Sequence, residues 1–173
     1  MDLVTITDHN TINGCLEIGH LGNTFISEEV TSYFPEDGCK VHVLVYHIDE
    51  KQHRDISRAR KNLFDLVDFL NTERIVHALA HPLYSINGKL TREHVQKLLL
   101  LFKLFELNGA RNQEQNTVLR RMVASLTRER IDALAARHDI RPRGSRPWEK
   151  GFIGGSDDHA CLYMGLSHTS VPG

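Results

Sequence analysis

Cysteine is scarce in this 173-residue chain: Cys15, Cys39 and Cys161 are odd in number and show no close pairing. Neither a disulfide framework nor a four-cysteine zinc site follows from such a set. No stretch approaches the ~20 apolar residues that a membrane helix requires, and no signal peptide precedes the first β-like residues. A cytoplasmic setting without a membrane partner is the expectation. Charge of one sign is also missing: 21 Lys and Arg stand against 22 Asp and Glu, a net charge of -1. That balance gives no global reason to expect long nucleic acid as a partner. The single tryptophan, Trp148, lies in a loop rich in Pro and Arg and reads as packing for that loop.

What is present supports a folded chain. Hydrophobic residues are 40% and charged residues 25%, enough for a packed core and against global disorder. One domain over residues 1–173 is the default at this length. Histidine is the unusual residue, with 11 copies, and the positions of these histidines matter more than their number.

The pattern alternates strands and helices, which predicts an α/β fold with a largely parallel sheet. Residues 2–7 read as a strand ending at Asp8 and His9, and 24–33 and 40–46 as two more. Between the latter, Pro35, Asp37 and Gly38 supply turn chemistry and predict a hairpin. Apolar spacing over 50–71 predicts one helix. Residues 75–80 read as a strand stopped by His81 and Pro82. Thr91 caps a further helix, which runs toward a strand near 103–108. Two helices are expected over 113–138, the second capped by Thr127, then brief strands at 152–155 and 167–171.

Candidate ligands recur just after these strands: Asp8 and His9, His81, Glu106 with Asn108, and Asp157 with His159. In barrel-like α/β folds the C-terminal strand ends form one rim where active sites assemble. If residues 35–38 form a four-residue loop, Thr31 faces His42 and Glu29 faces Leu44. Glu29 and His42 are then diagonal neighbours on one face, where a metal could bridge them, while Glu28 points away. A slip of one residue would undo that pairing. His77 and His81 have the spacing of a helical metal pair, but on a strand they lie roughly 13 Å apart, so His81 is the better ligand. Asp157 and His159 are two apart, and an extended backbone aims both to one side; the alternative for SDDH is a turn with a helix cap. Carboxylate and imidazole together suit zinc, manganese or iron.

The segments VTITDHN, ISEEVT, HVLVY, LAHP, FELNGARN and GGSDDH, in this order, resemble the PHP superfamily, named for polymerase and histidinol phosphatase. The resemblance implies a distorted (β/α)7 barrel that hydrolyses phosphate esters with a metal-activated water at a centre of two or three divalent ions, Zn, Mn or Fe. It implies His9, Glu29, His42, His81, Asp157 and His159 as metal ligands, with Glu29 bridging two metals. Asp157, His159 and Glu29 are then the catalytic set, Asp8 orients ligands from behind, and Glu106 and Asn108 occupy supporting rim positions. One feature departs from that family: its first strand carries a His-x-His motif, and no two histidines here are separated by one residue. At least one metal site is therefore incomplete. A barrel shortened at the N-terminus, and also at the C-terminus, is the expectation, since a full (β/α) barrel needs about 200 residues or more; an intrinsically degenerate protein is the alternative.

Phosphate recognition requires a cation on the same rim, and Arg111 is the best placed in sequence, with a guanidinium suited to bidentate grip. The expected partner is a small phosphorylated substrate. Two other readings stand beside the phosphoesterase. Metal-dependent amidohydrolases also place His and Asp at strand ends, and a domain lacking its first metal site could serve as a non-catalytic scaffold or regulatory module.

Overall fold

The computed structural model describes residues 3–110, 113–159, 162, 165 and 167–170. They carry six helices and five strands, a mixed α/β fold. Two compact units divide the chain: residues 1–78 with 85–89, and residues 79–84 with 90–173. No helix among the described residues is long and apolar enough to cross a membrane.

The first unit is built on a hairpin of β1 (Ser27–Tyr33) and β2 (Lys40–Tyr46). Its antiparallel register pairs Thr31 with His42 and Glu29 with Leu44, as the loop length predicts. The turn closes with Phe34 N–H on Cys39 O (2.9 Å) and Gly38 N–H on Phe34 O (2.9 Å). Gly38 has φ +70°, a conformation that favours glycine. Asn87 clamps the turn from outside: its amide donates to Gly38 O (3.0 Å) and its carbonyl accepts from Lys40 N (3.2 Å).

One face of the hairpin carries Glu28, Val30 and Ser32, all buried. On the same unit lie α2 (Glu50–Ala59) and α3 (Leu63–Thr72). The sequence pattern predicts one helix here, and the structure breaks it. Asn62 is extended (φ -132°) and its side chain accepts from Phe64 N, so it starts a new helix as an N-cap. The apolar stripe survives the break, because Ile56, Leu63, Leu66, Val67 and Leu70 are all fully buried. Glu28 meets His53 of α2, with Nδ1 3.0 Å from Oε1. Burial raises the Glu28 pKa, and His53 and Arg60 partly offset the rise.

The expected strand at 2–7 is not a strand over its described residues. It is extended chain that touches β-structure at isolated bridges, Val4 to Thr24 and, further on, His9 to Glu29. Side chains supply part of what a ladder would: Thr5 Oγ1 donates to Phe25 O (2.7 Å), and Cys15 Sγ, from α1 (Asn13–Ile18), donates to Ile6 O (2.8 Å).

The second unit has a parallel arrangement that is open rather than closed into a barrel among the described residues. β3 (Val76–Leu79) reaches it through Leu79, which pairs with Phe105 of β4 (Leu104–Asn108). β4 pairs along its length with β5 (Gly151–Gly155), from Leu104 with Gly151 to Asn108 with Gly155. α4 (Arg92–Leu101) starts at Thr91 as expected, in a capping box completed by His94. His94 is buried. Lys150 closes the other end of α4, donating to Leu99 O (2.5 Å) and Phe102 O (2.7 Å). These are carbonyls that a helix end leaves unpaired. Burial lowers the Lys150 pKa to about 8, and Lys103 adds to the shift. α5 (Gln113–Ala124) and α6 (Arg128–His138) follow, with Thr127 capping the latter. Residues 167–170 form no strand; Thr169 instead receives Gly154 N–H on its hydroxyl (2.9 Å). Trp148 lies under Arg128, 5.4 Å from ring centre to guanidinium carbon, consistent with packing of its loop.

One pH dependence follows from the hairpin turn. Burial pushes the Cys39 thiol from 9.0 up to about 11, helped by Asp37 and Glu36. The folded protein then keeps a proton that the unfolded chain loses. The associated stability is complete below pH 9 and is lost as pH rises toward 11. The lowered Lys150 pKa acts in the opposite sense over pH 8 to 10.5, so the Cys39 contribution is read by difference: in denaturant titrations from pH 8 to 11, Cys39→Ala should start less stable than wild type at pH 8, and the gap between them should narrow as pH rises from 9 to 11.

Candidate metal centre

The side chains on the outer hairpin face alternate as a strand requires, so Glu29, Thr31 and His42 share it. His42 Nδ1 lies 2.6 Å from Glu29 Oε1, and His9 Nδ1 lies 4.0 Å from the same oxygen. The His9 and His42 rings meet edge-on with centres 4.7 Å apart. Each of these three residues offers a ligand atom within 4.8 Å of the others. Ligand atoms around a zinc ion at about 2.0–2.2 Å are separated by roughly 3–4 Å, so small side-chain adjustments would bring the set into coordination. Glu29 is buried, His42 nearly so, and His9 is exposed at 41% of its side-chain surface, which leaves the group open on one side.

His9 reaches this position because its neighbours are tied to β1. Glu29 N donates to Asp8 O (3.0 Å) and Asn10 N donates to Glu29 O (2.9 Å). The Asn10 side chain adds two further bonds, accepting from Thr31 N (2.8 Å) and donating to Thr31 Oγ1 (3.2 Å). Asn10 has φ +57°, a conformation asparagine tolerates better than most residues. Asn10 thereby holds the His9 segment against β1. Asp8 contributes its backbone carbonyl here. Its exposed carboxylate lies against Gly14, where an added Cβ would come within 2.3 Å of Oδ2.

The second unit gathers the remaining candidates at the C-terminal ends of β3, β4 and β5. Glu106 is buried at the middle of the group. Its Oε2 accepts from His81 N (2.8 Å) and from Asn108 Nδ2 (3.1 Å). The same Asn108 amide donates to Asp157 Oδ2 (2.9 Å). Burial raises the Glu106 pKa and Asp157 adds to the rise, while the bonds from His81 and Asn108 oppose it. His159 is exposed, with Nδ1 3.0 Å from Asp157 O and 3.6 Å from Asp157 Oδ1. The His81 ring packs edge-on against Tyr84, centres 5.7 Å apart.

The expectation of an extended backbone through Asp157 and His159 fails. β5 ends at Gly155, and Asp157 is left-handed at φ +46°. The turn aims Asp157 Oδ2 at Asn108 while Oδ1 stays 3.6 Å from His159 Nδ1. His81 is also left-handed (φ +27°). Among the described residues, three of the six non-glycine residues with positive φ are therefore Asn10, His81 and Asp157. Strain of this kind tends to collect at functional sites. His77 is set apart, with Nδ1 2.8 Å from Ile75 O and a pKa lowered by burial. Arg111 lies outside the described residues.

Sequence reasoning missed the reason for the second glycine of GGSDDH. A Cβ on Gly155 would meet Glu106 Oε1 at 2.2 Å. The carboxylate is held by two donors and cannot move aside cheaply. Gly155→Ala should therefore cost about 1–3 kcal/mol in a denaturant titration. Asn10→Ala should cost about 1–2 kcal/mol and should weaken divalent-metal affinity measured by calorimetry, since it releases the His9 segment.

No family model matches the chain, and no curated protein matches it. Among solved structures it is similar to a "putative metal-dependent phosphoesterase" from Bifidobacterium adolescentis, at 17% identity and a TM-score of 0.46, over 92% of this chain and 78% of that one.

Proposed function

We propose that this protein is a metal-dependent phosphoric ester hydrolase acting on a small phosphorylated substrate. The observation that carries the reading is the meeting of one buried carboxylate and two imidazoles, Glu29 with His9 and His42, on one hairpin face. This donor set fits zinc, manganese or iron. A divalent ion held there would supply Lewis acidity toward a phosphoryl oxygen and a water acidic enough to ionise near neutral pH.

The residues of the chain would do the rest. With an ion bound, Glu29 and His42 would hold it in place of their mutual contact, Glu29 supplying negative charge, and His81, Asp157 and His159 would serve as ligands in the second unit. Asp157 is held by Asn108 at a fixed position, and Glu106 fixes the backbone at His81, so both ligand positions are set before any ion arrives. His159 lies exposed beside Asp157, at the solvent edge of that ligand set. No serine or cysteine nucleophile is needed.

Metal analysis of the purified protein should find at least one equivalent of Zn, Mn or Fe, lowered by Glu29→Gln and His42→Ala. With p-nitrophenyl phosphate as substrate, Asp157→Ala should reduce kcat by at least about 100-fold with the melting temperature nearly unchanged. Full activity in Asp157→Ala would overturn the site. A folded protein that takes up no metal and hydrolyses nothing would favour the scaffold reading, and activity on a cyclic amide alone would favour the amidohydrolase.

A further inference from the structure

The second unit holds a cavity of about 500 Å³ bounded by the end of β4, by β5, by α5 and by residues 167–170. That size is typical of small-molecule sites. None of the proposed metal ligands lines it. α5 faces it with Gln113, Asn116, Thr117 and Arg120. Those positions are i, i+3, i+4 and i+7, one helix face. The buried apolar residues of α5 are Leu119 and Val123. The helix thus turns a polar stripe toward a hollow that is open to solvent, with Gln113, Thr117 and Arg120 exposed along it.

The chemistry of the walls is one-sided. No carboxylate lines the cavity among the described residues, and Arg120 brings a permanent positive charge. The guanidinium carbon stands 5.3 Å from the centre of the Phe152 ring. Stacking of this kind holds the plane in place and leaves its N–H edges to donate. Ser167 and Ser170 add hydroxyls to the lining, the Thr117 hydroxyl donates to Gln113 O (3.1 Å), and Leu107, Phe152 and Ile153 supply apolar wall. Asn116 is committed elsewhere: it accepts from Asn108 N (3.2 Å) and donates to Asn108 O (2.9 Å), which ties α5 to the end of β4.

We infer that this cavity binds a small organic phosphate, with Arg120 gripping the phosphate and Phe152 lying against the organic part. A phosphate presents three acceptor oxygens, which a guanidinium and neighbouring hydroxyls match better than they match a neutral ligand. The inference goes beyond the hydrolase reading and does not require it, because the cavity contains no metal ligand.

The test uses the whole chain treated with chelator, so that hydrolysis and metal binding play no part. Calorimetric titration with phenyl phosphate should give saturable binding, and inorganic phosphate should bind several-fold more weakly. Arg120→Met should weaken phenyl phosphate at least about tenfold, the loss expected for one charged hydrogen-bonding partner. Arg121→Met, next on the helix and outside the cavity, should leave affinity unchanged. Ser167→Ala gives a second variant should Arg120→Met fail to fold, and should weaken binding a few-fold. Equal affinity in wild type and Arg120→Met, equal binding of benzoate and phenyl phosphate, or equal binding of inorganic and phenyl phosphate would overturn the inference. Phosphatase activity lost in Asp157→Ala with phenyl phosphate binding intact would separate this site from the metal centre.

Discussion

Two backbone hydrogen bonds decide whether the first unit brings a third candidate ligand to Glu29 and His42. Glu29 N donates to Asp8 O and Asn10 N donates to Glu29 O, so the residue between Asp8 and Asn10 must lie beside Glu29. That residue is His9. Each such bond is worth about 1 kcal/mol net, and the left-handed Asn10 takes back a similar amount. The balance is tipped by the Asn10 side chain, whose two bonds to Thr31 make the local turn and the strand pairing one cooperative unit. Glu29 and His42 are placed by the hairpin register alone; the third donor depends on this short bridge.

The second unit solves a different problem, which is how to keep two carboxylates close in a buried setting. Asp157 raises the pKa of Glu106, as like charges do. Asn108 stands between them and donates to both. An amide suits this position because it offers two N–H donors and carries no charge that would collapse the pair into a salt bridge. His81 N completes the support of Glu106, which ties the left-handed turn at His81 to the same carboxylate. Gly155 is required by the space that this carboxylate fills.

Much of this was legible where short-range rules apply. Turn chemistry at Pro35 to Gly38 fixed the hairpin register, and register fixed the faces of Glu28, Glu29 and His42. The caps at Thr91 and Thr127 lie where Thr precedes a helical run. Failures came where a local feature overrode periodicity or acted through space. The apolar stripe over 50–71 continues across a real break, because Asn62 can cap a helix without interrupting the stripe. Nothing in TDHN announces that Asn10 is left-handed, and nothing in SDDH announces it for Asp157.

The two hairpin faces show what separates a candidate ligand set from a structural pair. Each carries a glutamate beside a histidine: Glu29 with His42 on one, Glu28 with His53 on the other. Composition cannot tell them apart. Glu28 is the more buried, and its neighbourhood includes the Arg60 charge, which acts on the same carboxylate and donates to Thr31 O (3.1 Å). A guanidinium already balances that site, so a divalent ion there would bring two like charges together in a setting that screens poorly. Around Glu29 the third group is instead the His9 imidazole at an exposed edge, and among the described residues these three are the set close enough to share an ion. The same pair of residue types thus reads as core support when a permanent cation stands behind it, and as a metal site when an imidazole does.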